Sequence, residues 1–411
     1  MSYGVFQEYY KAEWQHLHIQ GEQDSTGVIG TTTNGVMYLS MPILFAIFTR
    51  RYARWRRTAA VVGAALACLS FALSSLSTNV FHLIITQGVF TAFGCTLMFS
   101  PTTLTLGEWY NTSNRALAYG ITLSCKNIVG STCPFLFRVL LNRFSLRTTI
   151  LAWTAICGGT SLLAIFLIPA QPSGTPSETT RERKIPWQFL HHQTFWIFSI
   201  AVALQSAGYG IPQSYLPEYA SESIHLSQTS ATLLLTLFNI PGIASSTFFG
   251  YLSDNKHFKL SANTVTAVSA VSSALAAFLL WGLTSEGNMA ILLIFSITFG
   301  FFAGGYSATW GGVLNDMERE AAQRNEAIDT GMVYGLLNGA RGIGYVTGGV
   351  VGLPLLRAGA TTSLDKFAYG SSYGPLIIFT GVSSIFGGWG LLWRSKWLEQ
   401  ILGRARSCCL P

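Results

Sequence analysis

Charge is scarce in this sequence. Only 10% of its 411 residues are Asp, Glu, Lys or Arg, against roughly a quarter in an average soluble domain, and so low a share excludes an ordinary soluble enzyme. Cysteine is thin and scattered: of seven, five lie inside long apolar runs and Cys408 and Cys409 lie near the end, with no CxxC spacing. That excludes a disulfide framework and a thiolate metal centre. His16 with His18 and His191 with His192 read as exposed loop pairs lacking a further ligand, so no metal and no other cofactor is expected. There is no GxxxxGK phosphate loop, hence no ATP motor. No convergent nucleophile, base or metal cluster stands out, so no catalytic residue is assigned.

What the sequence has in abundance is apolar length. Hydrophobic residues make up 50% of it, with 41 Gly, 27 Phe and 11 Trp. A membrane-spanning helix needs about 20 mostly apolar residues. Eleven stretches qualify: 25 to 49, 58 to 77, 80 to 106, 115 to 138, 147 to 169, 194 to 212, 227 to 252, 260 to 283, 289 to 314, 329 to 356 and 371 to 394. Runs this long suit helices rather than the ~10-residue alternating strands of a barrel, so the expected fold class is an all-α membrane bundle. The opening MSYGVFQEYY reads as the end of a further, incomplete helix without a cleavable leader.

The loops orient the bundle. If the partial helix ends outside, one side carries 17 Lys and Arg and the other 6, and the positive-inside rule makes the richer side cytoplasmic. The net charge of +7 is then an orientation signal, and no nucleic-acid partner is expected. Residues 170 to 193, AQPSGTPSETTRERKIPWQFLHHQ, are the one long polar interruption. The division that follows is a first transmembrane half at 1–169, a cytoplasmic linker at 170–193, a second half at 194–394 and a cytoplasmic tail at 395–411. Counting the partial helix, that is six spans plus six, a parallel repeat.

The repeat carries charge. YGITLSCKNI from Tyr119 aligns with YGLLNGARGI from Tyr334, setting Lys126 opposite Arg341, each seven residues after a Tyr-Gly pair. They are the only Lys, Arg, Asp or Glu residues in the interior of any of the eleven runs, the others standing at run ends. A cation at mid-membrane costs on the order of 2.5 to 3.5 kcal/mol and normally marks a substrate or ion path. Two at matched depth favour an anion between the halves; the alternative is contact with backbone carbonyls or snorkelling. Asn34, Tyr38, Gln87, Gln205, Tyr209, Asn239, Trp310, Tyr334 and Asn338 either line a cavity or bond across helix contacts. Lys126, Arg341, Asn239, Tyr334, Asn338 and Trp310 form the expected substrate-binding set.

Several stretches resemble the monocarboxylate-transporter-like permeases of the major facilitator superfamily, particularly their fungal branch: YGVFQEYY from Tyr3, EWYNTSNRALAYGI from Glu108, GYLSDNK from Gly250, and GGYSATWGG from Gly304 followed by RGIG at Arg341. The resemblance implies a twelve-helix secondary transporter of a small carboxylate or another small organic molecule, often coupled to a proton; some fungal members handle vitamins or secondary metabolites. The family's DGG-type signature is absent here, so the chain reads as truncated within the first helix. Ser246 stands where the fungal pattern often has arginine, Lys126 where a small residue is usual, and Arg50 where the loop motif usually has Asp, while Asp254 is retained.

A carboxylate at a helix end can accept bonds from a neighbouring helix N-terminus and pair with arginines, latching one side shut. Asp254 with Arg50, Arg51 and Arg54 is accordingly expected to gate. The expected function is alternating-access transport of small organic anions such as monocarboxylates; the open alternative is a neutral or amphipathic metabolite on the same fold. Partners are then the bilayer, a small organic anion and protons. With no carboxylate inside any run, a proton would ride with the substrate or be carried elsewhere. The plasma membrane is the expected location, with the vacuolar membrane as the alternative.

Overall fold

Within hydrocarbon every backbone amide must find its partner in the same segment or a paired one, and the apolar runs fold accordingly. The computed structural model describes residues 5–6, 9–10, 26–49, 52–110, 114–168, 186–254, 260–285, 288–359 and 367–393. Among them eleven helices follow one another: α1 (Thr26–Thr49), α2 (Arg56–Ser74), α3 (Val80–Trp109), α4 (Arg115–Arg143), α5 (Leu146–Leu167), α6 (Gln193–Glu222), α7 (Gln228–Asp254), α8 (Ala262–Trp281), α9 (Met289–Gln323), α10 (Thr330–Gly359) and α11 (Gly374–Phe386). Eight are long and apolar enough to cross a membrane; α4, α10 and the short α11 are the others. The two long exceptions carry the two mid-span cations.

Capping residues start several helices where the run calls for it. Ser145 Oγ accepts from the Thr148 amide at 3.3 Å, Ser261 Oγ from Thr264 at 3.2 Å and Asp329 Oδ1 from Met332 at 3.0 Å. Helix ends outrun the uncharged stretches. α6 continues to Glu222, whose carboxylate accepts from the Tyr373 hydroxyl at 2.7 Å, and α9 continues through Asp316, Glu318 and Glu320. A charge ends an apolar run but not a helix, because the last turns stand where polar partners reach them.

The eleven described helices take the major facilitator arrangement that the resemblance implies, α1–α5 in one half and α6–α11 in the other. Two long seams join the halves, α4 against α7 and α1 against α10. The first seam is polar. Ser124 Oγ donates to the Ile243 carbonyl at 2.6 Å, Asn127 Nδ2 to Ser246 Oγ at 3.2 Å and Thr236 Oγ1 to the Ser131 carbonyl at 3.2 Å. Contact is backbone-close: a Cβ on Gly120 would stand 2.4 Å from the Ser246 carbonyl oxygen. The second seam is aromatic. Tyr38 stacks on Tyr345 with centroids 5.5 Å apart and planes within 4°, and Phe45 meets Tyr334 at 6.2 Å. The buried cluster around Phe45, Tyr119, Trp310, Tyr334 and Leu337 draws from both halves. Outward faces, such as Phe166 and Leu167 on α5, are exposed and apolar, as lipid contact requires.

Of the expected linker, 170–185 lies outside the described residues. Its last part is folded: Gln188–His191 forms a 3-10 turn, and Phe189 is buried edge-to-face on Phe195 at 5.3 Å. His192 departs from the expected exposed loop pair. It is 1% exposed, with Nε2 2.7 Å from Glu326 Oε2 and Nδ1 3.9 Å from Glu320 Oε1. Glu320 stands in the last turn of α9 and Glu326 in the α9–α10 connection, both sequence-distant from the histidine, which is why spacing did not pair them.

Candidate functional site

Arg341 lies midway along α10, on the face turned toward the other half. It is 4% exposed. Its guanidinium carbon stands 4.8 Å from the Trp310 ring centroid and 5.4 Å from that of Tyr38. A 3-10 turn, Tyr306–Thr309, breaks α9 just before Trp310 and delivers the indole there. Tyr334, two helical turns before Arg341, stacks on Tyr119 of α4 at 4.7 Å and 7° and meets Trp310 edge-on at 5.8 Å. Tyr209 and Tyr306 are also within electrostatic reach of the guanidinium. The result is an aromatic cage around one cation, drawn from α1, α6, α9 and α10.

The cage leaves polar valence over. Arg341 Nε and Trp310 Nε1 are buried without a hydrogen-bond partner, and among the described residues no carboxylate pairs with Arg341. Cation–π contact contributes up to about 2 kcal/mol when desolvated, whereas a buried ion costs several kcal/mol unless paired. What would balance the site is an anion able to accept from both donors.

Lys126 faces elsewhere from its half of the repeat. It is partly buried and lines a cavity of about 540 Å³ whose walls include Asn34, Gln87, Val129, Phe137 and Trp153. The cavity and the cage adjoin along α1, since Asn34 and Tyr38 are one turn apart and share a face; the charges of Lys126 and Arg341 are close enough to repel. Asn338 Nδ2 donates to the Tyr334 carbonyl at 2.9 Å and Asn239 Nδ2 to the Leu235 carbonyl at 2.8 Å. Both amides are thus turned partly back onto their own helices, while Asn239 Oδ1 stays buried without a partner.

A second constellation closes one end of the bundle. Asp254, the last residue of α7, accepts from the Leu117 amide in the first turn of α4 at 2.7 Å and from Asn315 Nδ2 at 3.3 Å. Beside it Arg115 donates to Glu318 at 3.0 Å, again across the halves. Within the first half, Arg56 binds Glu108 through both terminal nitrogens at 2.6 and 2.7 Å and holds the Phe48 and Thr49 carbonyls at the end of α1. Of the basic residues expected with Asp254, Arg50 and Arg51 lie outside the described residues. Arg54 is exposed, its guanidinium 5.9 Å from the Trp55 ring, and takes no part in these bonds. Arg56, Glu108, Arg115 and Glu318 are the residues that spacing missed. Five arginines crowd 50–57, and only the position of Glu108 on α3 selects Arg56 among them.

A helical bundle of two matched halves, with a buried cation at their interface that no described carboxylate pairs and with polar bonds across the halves at one end, has the build of a membrane transporter. The chain belongs to the Major Facilitator Superfamily, whose family model matches residues 12–349 and again 198–396. An MFS-type transporter of Gibberella moniliformis is 24% identical over 399 residues, covering 95% of this chain and 89% of that protein. Monocarboxylate transporter 11 of Homo sapiens is 26% identical over 310 residues, 72% of this chain and 63% of that protein, so the match spans less than two thirds of the human relative. Among solved structures, the human organic anion transporter MFSD10 (TETRAN) shares the fold with a TM-score of 0.63 at 12% identity, over 94% of this chain and 89% of that one. Family and relatives point to an integral, multi-pass transporter rather than an enzyme.

Proposed function

We propose that the chain moves small organic anions by alternating access, with Arg341 as the principal anion-binding group and Lys126 as a second. One observation carries the reading: a guanidinium 4% exposed, held by aromatic rings, with a free buried Nε–H and no carboxylate partner among the described residues. Trp310 Nε1 adds a donor, and Tyr334 keeps the cage closed. Asn239 and Asn338 line the path beside it. The halves, 1–169 and 194–394, rock about this site, joined by the 170–193 linker on the arginine-rich side, which is cytoplasmic by the loop charge; the 395–411 tail lies on the same side. Asp254 on the α4 N-terminus, with Arg115–Glu318, is the gate on that side. The relatives named for monocarboxylates and organic anions support the substrate class. Any coupled proton rides with the substrate carboxyl, and the plasma membrane is the site of action.

A second reading is favoured by the cavity. About 540 Å³ walled mainly by apolar and aromatic side chains exceeds what a three-carbon acid fills, and suits an amphipathic metabolite with a bulky apolar body. Uptake of labelled pyruvate, and of a labelled aromatic carboxylate, into proteoliposomes with and without an inward proton gradient tests both. Gradient-stimulated uptake of either, lost in an Arg341→Gln/Lys126→Gln double variant, supports the anion site. Unchanged uptake in that variant overturns the anion site at Arg341 and Lys126.

A further inference from the structure

Away from the central site, three arginines and an apolar floor meet at the latch end. At the start of α2 a cavity of about 260 Å³ is lined by Arg54, Arg56 and Arg57 on its polar side and by Ala60, Pro101 and Ile165 beneath. Arg56 is neutralised by Glu108. Arg57 lies over Phe166, its guanidinium carbon 4.7 Å from the ring centroid, and donates to the Phe166 carbonyl at 3.3 Å. Arg54 is exposed. Among the described residues no carboxylate pairs with Arg54 or Arg57, so the cavity carries two uncompensated positive charges.

The apolar wall does not stop at the cavity. Leu163, Phe166 and Leu167 of α5 continue from Ile165 along the outer face and are 62%, 63% and 71% exposed. No soluble ligand needs both features. An arginine fork matches phosphate geometry, and an exposed apolar strip at the end of a membrane helix matches an acyl chain. We propose that this cavity binds the headgroup phosphate of an anionic phospholipid, whose acyl chain lies along α5. With α2 starting and α5 ending there, the lipid belongs to the leaflet at the latch end. The shared chemistry is a phosphate anion; the lipid source is favoured because the strip outside the cavity is otherwise unused by a free ion.

The test is native mass spectrometry of the full chain in detergent, offered palmitoyl-oleoyl phosphatidylserine, the matching phosphatidylcholine, or inorganic phosphate. Phosphatidylserine should be retained over phosphatidylcholine. Arg54→Gln/Arg57→Gln should cut that retention by about thirtyfold, the combined attraction of two basic groups near an anionic surface. Arg143→Gln, an exposed cation at the opposite end of α4, should leave it unchanged. On the unmodified chain, a photoactivatable phosphatidylserine should label residues 162–168. Equal retention by the double variant, or labelling confined to other helices, overturns the proposal. Binding of inorganic phosphate that displaces the lipid assigns the site to a free ion and overturns the lipid assignment.

Discussion

The two seams that join the halves occupy matched places in the repeat and are built from different chemistry. α4 and α7 meet through hydroxyl, amide and backbone bonds, among them Ser124 to Ile243 and Asn127 to Ser246; α1 and α10 meet through stacked rings. The cations follow their seams. Arg341 is enclosed by the rings of its own seam, whereas Lys126, beside a seam whose polar groups bond one another, turns to the open cavity. Matched position in the repeat therefore does not fix the surroundings: one cation is caged without a carboxylate partner among the described residues, and the other lines the cavity.

The largest effect expected is one that destroys both seams alike. Gly120→Leu brings a side chain onto the Ser246 carbonyl, and Gly342→Leu onto the Leu39 amide, 2.7 Å from the position of a Cβ. Backbone cannot yield as a side chain does, so each variant should lose its monodisperse peak in size-exclusion chromatography. A folded Gly120→Leu protein would mean that the polar seam opens more readily than drawn here.

Next comes the difference between the cations. Arg341→Gln should lower kcat/KM for an anionic substrate roughly a hundredfold, the effect of losing about 2–3 kcal/mol of charge-assisted bonding. Arg341→Lys should restore little, since an ammonium neither spans the donors nor stacks between rings as a guanidinium does. Lys126→Gln should raise KM for the same substrate about tenfold and leave a neutral analogue unaffected, as loss of one open-cavity charge contact predicts. Equal losses from the two variants would erase the distinction between cage and cavity.

The smallest effect concerns the latch. Asp254→Asn keeps an acceptor for the Leu117 amide but removes the charge that faces the α4 N-terminus, a contribution of about 0.3–1 kcal/mol. A cysteine placed at Ala116 should then react about two- to fivefold faster with a maleimide, with transport retained. No change in labelling would show that Arg115–Glu318 alone holds this end.

Much of the fold was legible because an apolar run of about 20 residues permits little but a spanning helix, and helix limits departed from the runs mainly where charged residues follow, as in α6 to Glu222 and in α9 through Asp316, Glu318 and Glu320. The candidate site was legible in part. A mid-span Lys and Arg stand out in a chain with so few charges, and the Tyr-Gly offset aligns them. Their neighbours did not stand out, since Tyr38, Tyr209 and Tyr306 look like any aromatic on an apolar helix until the helices are packed.

The sequence by itself determined the eleven helices among the described residues and the matched places of the two cations in the repeat, because hydrophobic length and repeat spacing act along one helix at a time. Tertiary structure alone decided that Arg341 is caged while Lys126 is not, that Arg56 rather than Arg54 finds Glu108, and that His192 is buried between two glutamates. Each of those depends on the rotation of a helix about its axis and on a partner scores of residues away, and packing between helices sets both.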